Sequence, residues 1–288
     1  MDVAGASSGA VFFRHKHHAS AYSIRRVNYF ALRDNRSELR AMDWTNGTPF
    51  ALAALGLFLA GVIKGTTGLG YSSCALPFLV AAVGLKTAIV LVVIPAMLSN
   101  VLVMFNTGHF RETLSRFWPL YTATLPGIVI GVVVLVWIDQ RIATRALGIL
   151  TVLYAILALT RPSLALAAGL ERSLQIPVGV LNGFFTGLTG SQMMPLLPYM
   201  LALKLDPDRL VQANNVAVTL ASAILGTALF ASGLMTWPIL ALSVAAVIPA
   251  LVGVQLGSRA RRHIPVASFR NIILVLLVIM GLMLAARP

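Results

Sequence analysis

Three observations predict an all-α, polytopic transmembrane helical protein of two internal repeats. Of the 288 residues, 58% are hydrophobic and 11% charged, and the mean hydropathy is +0.86. Soluble domains carry about 25% charged residues, so lipid is the solvent that suits this composition. The apolar residues gather into blocks, most of them near the roughly 20 residues that a spanning helix requires. Finally, Gly61-Val-Ile-Lys-Gly65-Thr-Thr-Gly68 returns as Gly183-Phe-Phe-Thr-Gly187-Leu-Thr-Gly190, 122 residues further on, and both copies interrupt an apolar stretch.

The first element is a basic tail, residues 1–45, which carries Arg14, Lys16, Arg25, Arg26, Arg33, Arg36 and Arg40. It lacks the apolar core of a secretory signal. His15, His17 and His18 sit together there, but imidazoles without a fold around them make a weak metal site. Met42-Asp-Trp-Thr-Asn-Gly has the look of a natural start, with residues 1–41 expected to be foreign to the native protein.

The first repeat, 46–165, holds apolar segments near 49–64, 70–84, 87–104, 118–137 and 145–160. The second, 166–288, holds 174–190, 192–204, 213–231, 235–254 and 269–286. The second and seventh segments are short, so eight to ten membrane segments are expected. Hydrocarbon offers the backbone no partners, which favours helices. No period-two alternation of a barrel is present.

The features follow one order in both halves: a glycine break, then a short proline-containing segment (Pro77; Pro195 and Pro198), then a polar connection with Lys86 or Lys204. Gly108 and Gly233, Trp118-Pro119 and Trp237-Pro238, and a Pro126-to-Gly131 or Pro249-to-Gly253 helix come next. Shared order, more than any single match, argues for duplication. If all ten segments cross, the repeats are inverted, and if each glycine-broken pair makes one net crossing they are parallel; with Arg259, Arg261 and Arg262 inside, the first gives the better positive-inside balance.

Glycines in membrane helices commonly serve close packing, which suffices for Gly56, Gly127, Gly131, Gly226 and Gly253. At the two motifs they alternate with hydroxyls and an amide instead. Paired breaks in corresponding halves point to a transport site. The helix that follows each break would present free N–H groups and a positive dipole end, which favour an anion. Candidate binding residues are Lys64, Gly65, Thr66, Thr67, Gly68, Gly70, Ser72 and Ser73, with Gly187, Thr189, Gly190, Ser191, Gln192, Asn214 and Asn215. Lys64 is the one charged residue well inside an apolar segment, at an insertion cost of about 2.5–3.5 kcal/mol. The acids after Met42 (Asp43, Glu112, Asp139, Glu171, Asp206 and Asp208) all fall in connections or at helix ends. Cation and proton carriers keep buried acids or histidines, so an anion is the substrate class favoured here. Asn100, Asn106 and Thr219 are assigned the ordinary task of interhelical hydrogen bonding.

The net charge of +13 lies in the tail and short loops, so it speaks for topology rather than nucleic acid. Cys74 is alone, and no catalytic set, nucleotide motif or metal-ligand spacing is present, so neither an enzyme nor a cofactor is expected.

At the glycine motifs the chain resembles the sulfite exporter TauE/SafE family, also called the toluene-sulfonate uptake permease family. The likeness rests on Gly61, Gly65, Gly68, Gly70 and Pro77, and again on Gly183, Gly187, Gly190 and Pro198, and covers about residues 49–286. It implies a bacterial inner-membrane permease moving sulfite, sulfonates or similar organic anions. Lys64 stands where the family more usually has a neutral residue. The expected partners are a small anion and the lipid bilayer, with a homodimer admitted as an assembly. A non-transporting membrane subunit and a cation carrier stay open as alternatives.

Overall fold

The computed structural model describes residues 48–160, 164–167, 169–260 and 266–287. The basic tail with its histidines, Met42, Asp43, Arg161, Arg261 and Arg262 lie outside the described residues, and so do the expectations placed on them.

Among the described residues all regular structure is helical. The helices are α1 (Thr48–Thr67), α2 (Tyr71–Val83), α3 (Leu85–Thr107), α4 (Phe110–Trp137), α5 (Gln140–Thr160) and α6 (Leu170–Thr189). They continue as α7 (Leu196–Ala202), α8 (Pro207–Ala231), α9 (Trp237–Ala245), α10 (Val247–Ala260) and α11 (Val266–Ala285). Six stretches are long and apolar enough to cross a bilayer: α1, the Leu85–Phe105 part of α3, α4, α5, α8, and α9 with α10 taken as Trp237–Ala260. Phe105, Ile248 and Met283 are 78%, 69% and 68% exposed, amid many other uncovered large apolar side chains. Apolar surface on that scale is covered by lipid in a multi-pass membrane protein.

The helices outrun the apolar blocks where polar ends carry them on. α4 begins at Phe110 rather than 118, because its first turns hold Arg111, Glu112 and Arg116 in the polar zone. α8 starts at Pro207, whose fixed φ and missing N–H suit a first helical position. Elsewhere proline divides what hydropathy joins. Segment 192–204 yields only the short α7, and segment 235–254 splits at Ala246. Pro249 can offer no N–H to the Ala245 carbonyl, and its ring crowds that oxygen. Pro95 does the same to Leu91 within α3, and there Ser243 Oγ donates to the Leu91 carbonyl at 3.1 Å. A freed carbonyl in a membrane helix is thus met by a neighbouring helix.

Two glycine crossings bind the bundle. α1 runs parallel to α10: a Cβ on Gly61 would lie 2.3 Å from the Ala250 carbonyl oxygen, and one on Gly65 2.2 Å from that of Val254. α6 runs parallel to α4 in the same way: Gly183 faces the Thr124 carbonyl at 2.2 Å and Gly187 that of Ile128 at 2.3 Å. Gly253 and Gly257 return the contact on α10, and Gly127 and Gly131 do so on α4. Gly56, against Phe78, is also a packing position. Small residues let these backbones touch where lipid supplies no hydrophobic drive.

α5 and α11 pack antiparallel. Arg145 Nε donates to the Arg287 carbonyl at 3.0 Å near one end, and Arg270 Nη2 to that of Ala158 at 2.9 Å near the other. α3 packs on α8. The first turns of α4, α6 and α8 are joined by Arg116 with Glu171 (2.6 Å) and by Arg209 with both Glu112 (3.0 Å) and Asp206 (2.6 Å).

The crossings predict that Gly183→Leu lowers thermal stability in detergent by about 3 kcal/mol or more, since backbone cannot yield as a side chain does. Gly226→Ala, whose Cβ would meet only Val93 at 3.4 Å, serves as the neutral comparison. Hydrogen bonds from Arg116 hold the Glu171 carboxyl below the usual carboxylate range. The pair's contribution, under about 1 kcal/mol at this exposure, is therefore present above the unfolded carboxylate pKa and lost as pH falls through the lowered one. Melting curves of Glu171→Gln should lie slightly below wild type at neutral pH and merge with it in acid.

Candidate functional site

Each glycine motif stops a helix. α1 ends at Thr67, and Gly68 (φ 77°) and Gly70 (φ 82°) turn the chain before α2 begins at Tyr71. α6 ends at Thr189, Gly190 (φ 75°) turns the chain, and residues 191–195 lead irregularly to α7. Positive φ at all three is glycine's territory.

The two stops share their hydrogen bonds. Gly68 N donates to the Lys64 carbonyl at 2.7 Å, and Gly190 N to that of Thr186 at 2.8 Å. Thr67 Oγ1 donates to the Ile63 carbonyl (2.8 Å) and accepts from Leu69 N (3.2 Å). Thr189 Oγ1 donates to the Phe185 carbonyl (2.7 Å) and accepts from Ser191 N (3.2 Å). The breaks then meet each other. Ser73 Oγ lies 3.1 Å from Ser191 Oγ, and Ser72 Oγ donates to Gln192 Oε1 at 3.3 Å. Gln192 Nε2 passes the chain on to Ser222 Oγ of α8 at 2.9 Å. All five of these side chains are buried.

Lys64, in the last turn of α1, is fully buried. Its Nζ donates to Oδ1 of Asn100 on α3 and to Oδ1 of Asn215 on α8. Both amides are aimed by their own nitrogens: Asn100 Nδ2 bonds the Ala96 carbonyl (2.6 Å), and Asn215 Nδ2 bonds those of Val211 (2.6 Å) and Gly68 (3.2 Å). A single asparagine therefore ties the Lys64 amino group to the broken backbone beside it. Lys64 finds no carboxylate, because among the described residues the acids stand in the first turns of α4, α6 and α8 and at the α4–α5 junction.

The sequence candidates divide accordingly. Lys64, Gly68, Gly70, Ser72, Ser73, Gly190, Ser191, Gln192 and Asn215 come together at the two breaks. Gly65 and Gly187 face neighbouring backbone at the crossings, so their place in the fold is packing. The hydroxyls of Thr66, Thr67 and Thr189 donate to carbonyls of their own helices. Asn214 is buried, but no bond joins its side chain to the cluster.

Asn100, Thr186 and Ser222, absent from the sequence candidates, hydrogen-bond to residues of the cluster: Asn100 to Lys64, Thr186 to the Ser191 carbonyl and Ser222 to Gln192. The 122-residue offset carries Lys64 onto Thr186 and Asn100 onto Ser222, a signal available beforehand. Gln212, Asn215, Thr219 and Ser222 recur at helical spacing on one face of α8. The Gln212 amide is fully buried with no hydrogen-bond partner among the described residues.

Chemically, the cluster offers a buried lysine amino group with neutral hydrogen-bond partners and a hydroxyl pair. No metal-ligand group of three or more His, Cys, Asp or Glu occurs among the described residues.

No curated protein and no solved structure matches the chain. The family model for sulfite exporter TauE/SafE matches residues 52–284, a span that takes in both breaks and the crossings around them. The chain belongs to the sulfite exporter TauE/SafE family of membrane transporters.

Proposed function

We propose that this protein is a bacterial inner-membrane permease that moves a small anion, namely sulfite, an organosulfonate or a similar organic anion, by alternating access. The observation that carries the reading is Lys64: a fully buried amino group at a helix break, hydrogen-bonded only to neutral amide oxygens. A buried cation without a counter-charge is costly, and an anion that enters beside it supplies the charge. Free N–H groups at the start of α2 and the Ser73–Ser191 hydroxyl pair give the anion further donors. The Gln212 amide, buried and unpaired, supplies another on this reading.

Two inverted repeats, 46–165 and 166–288, fit the same proposal. The glycine crossings correspond across the halves, α1 on α10 matching α6 on α4, and the corresponding helices α5 and α11 are antiparallel. A site formed where the two breaks touch lies between such halves, as in other transporters with broken helices. The cluster is sealed from solvent here, so the arrangement corresponds to an occluded state of the cycle. A homodimer is compatible with the extensive lipid-facing surface.

Replacing Lys64 by Met should weaken anion transport on the order of ten- to a hundredfold, the worth of a charge-assisted hydrogen bond. The assay is uptake of labelled sulfite or methanesulfonate into proteoliposomes, with expression checked in parallel; unchanged transport removes Lys64 from the mechanism. Ser191→Cys should react with a water-soluble thiol reagent during turnover and be protected by methanesulfonate. A non-transporting membrane subunit would leave that thiol unreactive throughout.

A further inference from the structure

We infer that the proton is a second substrate of this carrier, with Lys64 as the group that takes it up together with the anion. The inference rests on the permease reading above and adds to it the identity of the coupling ion. Its basis is a count of donors. Lys64 Nζ has two acceptors, Oδ1 of Asn100 and Oδ1 of Asn215, each fixed by its own amide nitrogen. A neutral amine has two N–H bonds and an ammonium has three. The pocket thus gives both N–H bonds of the neutral amine an acceptor. The third N–H of the ammonium has no acceptor among the described residues, and it is the one left for a bound anion.

Charge leads to the same place. The titratable side chains on the elements around Lys64 are Tyr71 and Cys74 on α2, Lys86 at the start of α3, and Asp208 and Arg209 in the first turn of α8. Arg259 lies in the last turn of α10. None of them hydrogen-bonds to Lys64, whose bonds all go to uncharged amides. In the empty carrier an ammonium would cross the membrane with no opposing charge. In the loaded carrier the anion opposes it.

The step balances simply. On the loading side the lone pair of the amine accepts a proton from water, and the new N–H bond donates to the anion. On the far side the anion leaves, the N–H bond breaks, and the proton returns to water. One proton accompanies each monovalent anion, and the carrier resets with Lys64 neutral.

The test measures proton uptake when methanesulfonate or 2-hydroxyethanesulfonate binds the purified full chain in weakly buffered detergent. Both anions stay ionised, so any proton taken up belongs to the protein. Uptake should approach one proton per bound anion as the pH is raised. In proteoliposomes, a pH gradient alone should drive accumulation of the same anions. Lys64→Arg keeps its charge at every pH, so whatever binding survives should take up no proton. Asn100→Asp places a carboxylate against Lys64; it should hold the ammonium in the empty state and abolish proton uptake, with anion binding weakened at least tenfold. Binding without proton uptake by the wild-type protein at any pH overturns the coupling and leaves the permease intact. Binding of neither sulfonate, nor of sulfite, sinks the permease reading itself.

Discussion

Hydrocarbon gives a peptide group nothing to bond to, and this fold is arranged around the two places where its helices cannot bond to themselves. At Gly68 and Gly190 the chain leaves helical geometry in the middle of apolar sequence. Each exposed end is closed locally by a threonine that reaches one turn back and two residues forward. What remains polar is closed by the other break, through Ser72, Ser73, Ser191 and Gln192. The breaks are therefore mutually dependent: neither could be buried in lipid without the other. A cluster of polar groups at the heart of a greasy bundle is the result, and Lys64 is the ionisable group it surrounds.

Much of this was legible in the sequence. The helical class and the order of the helices followed from the apolar blocks, and the break positions from glycines placed among hydroxyls; the count did not, since ten blocks became eleven helices among the described residues, with six stretches long and apolar enough to cross a bilayer. Boundaries were less so. The starts of α4 and α8 lie in polar residues that hydropathy ignores, although Pro207 after Asp206 carries a capping signal of its own. The splitting of α9 from α10 was written in Pro249, yet Pro126 stands inside an unbroken α4, so proline alone does not decide. The difference lies in which neighbours can meet the freed carbonyl, and that is a tertiary fact.

The polar cluster at the breaks was half visible. A lone lysine in an apolar stretch announces itself, whereas its partners do not, because asparagines in membrane helices have an ordinary packing use. Asn100 and Asn215 are separated by 115 positions and unite only through the folding of α3 and α8 onto α1. Threonines misled in the other direction. Their hydroxyls look available in sequence, but Thr66, Thr67 and Thr189 spend their protons on their own helices. Gly65 and Gly187 likewise belong to a motif that does two jobs, with its first two glycines serving contact and its last one the turn.

That contact settles what can move as a piece. α1 is seated against α10, and α6 against α4, with main chain touching main chain at spacings no side chain can cushion. In both cases the two helices of a couple are not consecutive in the chain. Sliding within either couple would drive carbonyl oxygens into a neighbouring spine, so each travels as one plank. In any rearrangement of the bundle, α1 would have to travel with α10 and α6 with α4.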